Sequence, residues 1–212
     1  MAGDPGRDAA RRGTRGTPNT RGERTRWRIA EATLSLLIES DMPPNAHDIA
    51  RRAGVSHRLI FHHYEDLDAL HVMVSAVYAE HFGPMVPSVA PDLPFDTRIE
   101  RTARLRATLY KSIGNLGRNT AALAPSHPGL TQRQQATQRI LCDLLEQTFA
   151  PELDALGRRD RREALAALDA AGSWPLWDRI RRSNGLSVSA ARRVVAGLLR
   201  AALAVPARGT SR

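Results

Sequence analysis

The feature that most constrains the fold of this 212-residue chain is a segment in which two short helical patterns meet at a tight turn. It reads NAHDIARRAGVSHRLIFHHY and runs from Asn45 to Tyr64. Asn45 and Ser56 are of the residue types that cap helix N-termini, and Gly54 suits the left-handed conformation of a tight turn. Two short helices joined by a glycine-containing turn of three or four residues form a helix-turn-helix, which the segment therefore predicts.

Each helix of this segment has one apolar face. Ala50 is small at the point where the helices are expected to cross, and Val55 fills the turn. The side chains predicted to point inward are Ile49, Ala50, Ala53, Ile60 and Phe61. A generic helical hairpin rarely combines these features, so the helix-turn-helix prediction is fairly specific.

Helical periodicity also fills the rest of the chain, and no stretch alternates apolar and polar residues over the length of a strand. Gly172 and Pro175 are expected to kink or divide one of the later helices. We therefore expect an all-α protein of about nine helices. Apart from the helix-turn-helix pair at 46–53 and 57–64, the predicted helical segments are 25–39, 66–82, 96–116, 131–149, 159–182 and 187–203.

Composition excludes several classes of protein. Cys142 is the only cysteine, so neither an internal disulfide nor a cysteine-based zinc site is expected, and it lies on an apolar helix face as inert packing. No apolar run approaches the roughly 18 residues of a membrane span, and the N-terminus lacks the apolar region of a signal peptide. The sequence thus predicts a soluble, cytoplasmic protein that does not contact a membrane.

The net charge of +9 is spread unevenly. Residues 1–28 hold eight arginines against three acidic residues, whereas residues 29–75 hold three arginines against seven acidic residues. Arginine suits phosphate recognition, although a GC-rich coding sequence would also favour it over lysine. Residues 1–24 are rich in Gly, Pro, Thr and Arg without apolar periodicity, and we expect a disordered basic arm there.

The stretch from Arg26 to Val74 resembles the DNA-binding domain of the TetR family of transcriptional regulators. The matching residues are DIARRAGVS at 48–56, FHHY at 61–64 and Leu70. Later in the chain only the number of helices and the stretch WDRIRRSNGLS at 177–187 are similar to the family pattern.

The resemblance implies a homodimer that binds a double-stranded DNA operator. The second helix of each helix-turn-helix would enter the major groove, at half-sites about 34–36 Å apart. It also implies a DNA-binding domain at 25–70, a ligand-binding and dimerisation domain at 71–205 and a tail at 206–212. For each contact residue the competing interpretation is a solvated helix face. The predicted DNA contacts are Asn45, Ser56, His57, Arg58, Phe61, His62 and Tyr64.

Three positions depart from the family pattern. The usual tyrosine that donates its hydroxyl to a phosphate is Phe61, so the packing is expected to survive without that hydrogen bond. The usual lysine at the start of the fourth helix is Leu67, and the usual glycine at the end of the first helix is Ser40. An arginine-rich arm in the minor groove would compensate, so we expect deletion of residues 1–24 to weaken operator binding and its salt dependence.

The resemblance further implies a cavity for a small-molecule effector and a dimer bundle made by the last two helices. Ordinary core packing is the alternative for each residue of the cavity set. The predicted cavity residues are Tyr78, Phe82, Met85, Tyr110, Ile113 and Leu141. The predicted dimer-interface residues are Leu165, Leu168, Trp174, Trp177, Val194, Val195, Leu198, Leu199 and Ala202.

The sequence contains no nucleophile elbow, glycine-rich phosphate loop or paired carboxylate signature, so we expect neither an enzyme nor a cofactor. His71, His81 and His127 could line a cavity, but no histidine spacing predicts a metal site. We therefore expect a DNA-binding regulator, most simply a repressor released from its operator by a small ligand. The alternative is a helical ligand-sensing or scaffold dimer whose helix-turn-helix no longer binds DNA.

Overall fold

The computed structural model of the chain describes residues 20–83 and 86–204. Three groups of predicted positions lie outside the described residues: positions 1–19 of the arm, the cavity residue Met85, and the tail at 206–212. Within the described ranges the chain is all-helical and contains no strand, which confirms the predicted fold class.

Eleven α-helices are present in the described residues, two more than expected. The predicted helix 96–116 ends at Ser112 and resumes as a separate helix at Gly114, and a short helix, Ala150–Asp154, follows the predicted helix 131–149. The predicted helix 159–182 is divided at Gly172 and Ser173, and Pro175 lies in the first turn of the helix that follows. The helices are α1 (Arg21–Glu39), α2 (Ala46–Ala53), α3 (His57–His63), α4 (Leu67–Phe82), α5 (Phe95–Ser112), α6 (Gly114–Leu123), α7 (Pro128–Thr148), α8 (Ala150–Asp154), α9 (Arg158–Ala171), α10 (Trp174–Asp178) and α11 (Val188–Leu203).

Helix α1 begins four residues earlier than the sequence predicts. The Thr20 hydroxyl accepts a hydrogen bond from the Glu23 amide at 3.1 Å, and the Glu23 carboxylate accepts one from the Thr20 amide at 2.9 Å. This reciprocal pair is a capping box, which stabilises the start of a helix. Residues 21–24, expected to belong to the disordered arm, are therefore helical.

Helices α1 to α4 pack around one apolar core. Helix α1 contacts α2, α3 and α4, and Ile29, Ile60 and Leu70 are fully buried among them. Helix α4 continues from this N-terminal part into the second half of the chain, where it packs on α7. One helix is therefore shared by the helix-turn-helix and the C-terminal helices.

The C-terminal helices are held by apolar packing and by one largely buried ion pair. Helix α11 packs on α5 and α9, and α7 packs on α9. The Arg98 guanidinium donates to both carboxylate oxygens of Glu152 at 2.5 and 2.6 Å and also to the backbone carbonyls of Leu93 and Thr148. This network fixes the start of α5 against the end of α7 and α8. No helix in the described part of the chain is long and apolar enough to cross a membrane.

Candidate nucleic-acid interface and ligand cavity

The local geometry of the helix-turn-helix follows from three residues. The Asn45 side chain caps α2 by accepting from the Asp48 amide at 3.0 Å, and the Ser56 hydroxyl caps α3 by accepting from the Leu59 amide at 3.2 Å. Between them Gly54 has φ of 64° and ψ of 40°, a left-handed conformation that glycine adopts without steric cost. The predicted capping residues and turn are confirmed.

Helix α3 exposes a single face that consists of His57, Arg58, Phe61 and His62. We call these four residues the recognition face. The prediction that Phe61 points inward is wrong, since 44% of its surface is exposed. Ile60 fills the buried position, and because successive helical residues are rotated by about 100°, Phe61 faces outward. Its ring contacts the ring of His57, with 5.1 Å between the centroids.

Tyr64 does not lie on the recognition face, contrary to its predicted role as a DNA contact. Only 1% of its surface is exposed, and its hydroxyl donates to the backbone carbonyl of Arg26 at 2.7 Å. Burial raises the pKa of this hydroxyl to about 12. Tyr64 therefore joins the end of α3 to α1 and has no free hydroxyl for a phosphate.

Two of the three arginines near the recognition face are engaged by carboxylates. Arg51 pairs with Asp48 at 2.6 Å, and Arg52 binds both carboxylate oxygens of Glu39 at 2.5 and 2.9 Å. Arg58 is exposed and forms no ion pair with any described residue. It is therefore the cation on this face that remains available to a phosphate or a base edge.

Further positive charge lies on the N-terminal half of α1. Arg21, Arg24, Arg26 and Arg28 are all exposed, and the Arg26 guanidinium lies over the Tyr64 ring at 5.1 Å from its centroid. Arg26 thus lies at the C-terminal end of α3. Leu67, which stands where the resemblance implies a lysine, is partly buried and packs against the core.

A cavity of about 710 Å³ lies in the second half of the chain. It is lined by residues of α4, α5, α6, α7 and α10, with Leu37 of α1 also in its wall, and it is partly open to solvent. A volume of this size is typical of small-molecule sites. Four of the predicted residues line it, namely Tyr78, Tyr110, Ile113 and Leu141.

Phe82 does not line the cavity, because its ring stacks on that of Tyr78 at 4.9 Å between centroids, one turn further along α4. Trp174, predicted for the dimer interface, instead lines the cavity and packs directly against Gly117, where a Cβ would overlap the indole ring. His71 also lines the cavity. Of the three histidines expected as possible cavity residues, His71 therefore lines it, whereas His81 and His127 do not.

The wall of the cavity is mainly apolar, but it also includes the charged side chain of Arg133 and the amides of Gln134, Gln135 and Gln138. It contains no carboxylate among the described residues. Burial, aided by the neighbouring His127, lowers the pKa of His71 to about 4, although Asp68 acts in the opposite direction. Burial raises the pKa of Tyr78 to about 12. Both side chains are therefore neutral at pH 7. The described residues also contain no cluster of three or more metal-ligating side chains.

Most of the predicted dimer residues belong to the core of a single chain. The five buried residues are Leu168, Trp177, Val195, Leu199 and Ala202, each less than 8% exposed. Helix α11 packs on α5 and α9 of the same chain, and the ring of Trp177 in α10 contacts that of Tyr110 in α5. For these five residues the predicted interface role is wrong. Leu165 is partly buried against the same core.

Val194 and Leu198 remain on the surface, at 38% and 40% exposed. Gly197 and Ala201 are exposed on the same side of α11. Residues spaced by three, four and seven positions share one helix face. We call this set the α11 stripe: Val194, Gly197, Leu198 and Ala201.

No family model and no curated protein matches this sequence. A solved structure from Mesorhizobium loti, of a protein assigned to the TetR family of transcriptional regulators, is similar to this chain with a TM-score of 0.59 and 18% sequence identity. The match covers 88% of this chain and 98% of that one. The likeness shows that the two chains share a fold along almost their whole length.

Proposed function

We propose that this chain is a sequence-specific DNA-binding transcriptional regulator that acts as a homodimer and responds to a small molecule. The observation on which the proposal mainly depends is the recognition face, an exposed set of four side chains on the second helix of a capped helix-turn-helix. In this motif the second helix lies in the major groove and its N-terminal residues contact base edges. The shared fold with a protein assigned to the TetR family supports the same function.

Each DNA contact would have a separate role. Arg58 would donate to a guanine, for which arginine is the commonest specific partner. The exposed caps Asn45 and Ser56 lie at the N-termini of α2 and α3, where the helix dipole favours phosphate. The exposed arginines of α1 would contact the backbone next to the recognition helix. The arm before Thr20 is proposed to add further phosphate contacts in the minor groove.

The cavity would hold a mainly apolar effector that carries no positive charge. A cation buried there would lack a carboxylate partner and would lose its hydration without compensation. His71 and Tyr78 are neutral polar groups on the cavity face of α4 that would orient such a molecule. Regulation without enzymatic turnover is consistent with this arrangement.

Helix α4 would transmit occupancy of the cavity to the DNA-binding helices. It contacts the cavity through His71, Val74 and Tyr78, it packs on α1, and it follows α3 after three residues. A ligand that displaces α4 against α1 would change the separation of the two recognition helices of a dimer, a rigid-body switch. DNA half-sites at fixed spacing tolerate little such change, so the effector would release a repressor.

The second copy would pack on the α11 stripe. Its exposed apolar residues lie next to small ones, which allow two helices to approach closely. Obligate interfaces are apolar and large, and the α11 stripe would form the centre of such an interface in this protein.

Selection from a library of randomised DNA duplexes tests the proposed function. The full-length protein is incubated with the library, and the retained duplexes are sequenced over several rounds. We expect a symmetric motif with two half-sites about 10 base pairs apart, or a multiple of one duplex turn. A retained pool with no enriched sequence would favour the alternative, a ligand-sensing or scaffold dimer that does not read DNA.

A further inference from the structure

Phe61 is the aromatic member of six large apolar side chains that stand exposed in the described part of the chain. It lies in the middle of the recognition face, between polar neighbours: His57 and Arg58 on the N-terminal side and His62 on the C-terminal side. Exposure of an apolar ring to water is unfavourable, so contact with a partner that buries the ring would lower the free energy.

The orientation of the Phe61 ring is restricted by its neighbours. The ring of His57, one turn earlier on α3, is inclined at 54° to it with 5.1 Å between centroids. The preceding residue, Ile60, is fully buried and anchors this turn of the helix in the core. The edge and outer face of Phe61 therefore point away from the protein at a defined position on α3.

The chemistry of the major groove limits what such a ring can contact. The base edges there present hydrogen-bond donors and acceptors, and their one apolar group is the 5-methyl group of thymine. Phe61 has no hydroxyl and so cannot donate to a phosphate. Of the groups on a base edge, only the thymine methyl matches an apolar ring.

We propose that Phe61 is a specificity-determining residue that packs on the 5-methyl group of a thymine in each half-site. The inference rests on the proposed function and adds to it a base that the recognition face selects. Arg58, three residues earlier and also exposed, fixes the register by binding the edge of a neighbouring guanine. The two residues together make the recognition face selective for a thymine at one position and a hydrogen-bond acceptor at another.

Replacement of thymine by deoxyuridine tests the proposal, because it removes the methyl group and leaves every hydrogen-bonding atom in place. The duplex recovered by selection is synthesised with each thymine replaced in turn, and the dissociation constant of the full-length protein is measured by fluorescence anisotropy at one salt concentration. We expect one thymine in each half-site at which the replacement weakens binding about fourfold, since burial of a methyl-sized group contributes about that factor. Replacement in both half-sites should weaken binding about sixteenfold.

Variants assign the effect to Phe61. In Phe61→Ala the thymine and deoxyuridine duplexes should bind with equal affinity, whereas Phe61→Tyr keeps the ring and should keep the preference. Ile140→Ala, which shortens another exposed apolar side chain on α7, serves as the matched control and should also keep it. Since the wild-type comparison needs no variant, a misfolded variant does not affect it.

The outcomes separate this inference from the proposed function. A recovered motif in which no deoxyuridine changes the dissociation constant by more than twofold overturns the role of Phe61 and leaves the regulator intact. A methyl effect that persists in Phe61→Ala also overturns it. A library that yields no motif overturns the proposed function, and the inference with it.

Discussion

Asn119 of α6 donates a hydrogen bond to the backbone carbonyl of Leu37 in the last turn of α1, at 3.0 Å. The same amide donates to the carbonyl of Ser40 at 2.8 Å, and the Asn115 amide donates to that of Ile38 at 3.0 Å. The last carbonyls of a helix lack partners within it, and α6 supplies them. Because α6 also lines the cavity, these bonds join the cavity wall to the helix on which α2 and α3 pack.

Replacement of Asn119 by alanine should destabilise the protein. Asn119 is 1% exposed, so its loss leaves two carbonyls at a buried helix end without donors. A buried unsatisfied group costs about 1 to 3 kcal/mol, and we expect the free energy of unfolding to fall by about 2 to 4 kcal/mol. The exposed residue Asn184 provides the control, and Asn184→Ala should change it by less than about 0.5 kcal/mol. Equal values for the two variants in urea unfolding would mean that α6 does not hold α1 through this amide.

The proposed effector class leads to a second expectation. The flat, uncharged molecule 9-fluorenone should bind the cavity, and the flat cation proflavine should not, because the cavity wall contains no carboxylate. Leu141 lines the cavity and its neighbour Ile140 is 61% exposed on the outer face of α7. Leu141→Trp should therefore weaken binding of 9-fluorenone at least tenfold in calorimetry, whereas Ile140→Trp should not. Tighter binding of proflavine than of 9-fluorenone would contradict an effector without positive charge.

The α11 stripe leads to a third expectation. Leu198→Glu places a charge at the centre of the stripe and should convert the proposed dimer to monomers in sedimentation velocity experiments. A buried, unpaired carboxylate costs several kcal/mol, and this cost would be subtracted from the free energy of dimer association. Ile140→Glu adds the same charge to an exposed apolar position on α7 and should leave the dimer intact. If Leu198→Glu sediments as a dimer, the second copy packs elsewhere.

His71 leads to an expectation about acid stability. Its pKa falls from an ordinary 6.5 to about 4 on folding, chiefly because it is buried, so between these values the unfolded chain binds a proton that the folded protein does not. The free energy of unfolding should therefore fall as the pH is lowered from 6.5 to 4, by up to about 3 kcal/mol from this residue.

His71→Gln should remove that part of the pH dependence, and the exposed control His81→Gln should retain it. The measurement is the free energy of unfolding by urea at several pH values between 4 and 7. Parallel pH profiles for wild type and His71→Gln would show that His71 has an ordinary pKa in the folded protein.

Local signals made the helix-turn-helix predictable from sequence. Asn45, Gly54 and Ser56 act on residues at most four positions away, so their roles follow from the sequence around them. The direction in which the Phe61 side chain points was harder to predict, because neighbouring residues on a helix are rotated by about 100° from each other. The burial of Tyr64 depends on Arg26, thirty-eight residues earlier, and no local pattern contains that contact.

The sequence alone also could not show which apolar residues of α11 belong to the core of one chain and which lie on the proposed interface. Val195 and Leu199 have the same apolar spacing on α11 as Val194 and Leu198. A helix that packs against two different partners has an apolar stripe on each of two faces. Which stripe meets α5 and α9 of the same chain is set by the arrangement of the whole bundle. The position of Trp174 in the cavity wall was not predictable for the same reason, because its indole ring packs on Gly117, which is distant in the sequence.

A comparison of Arg58→Ala with Arg104→Ala tests most directly whether the recognition face reads DNA. Both variants remove one exposed arginine charge, from the recognition face in α3 and from α5 respectively. Dissociation constants are measured by fluorescence anisotropy for the selected duplex and for a scrambled duplex of the same composition, at one salt concentration. We expect Arg58→Ala to weaken binding to the selected duplex about tenfold or more, with a much smaller effect on the scrambled one. Arg104→Ala should match wild type on both, and equal losses in the two variants would contradict DNA recognition by this face.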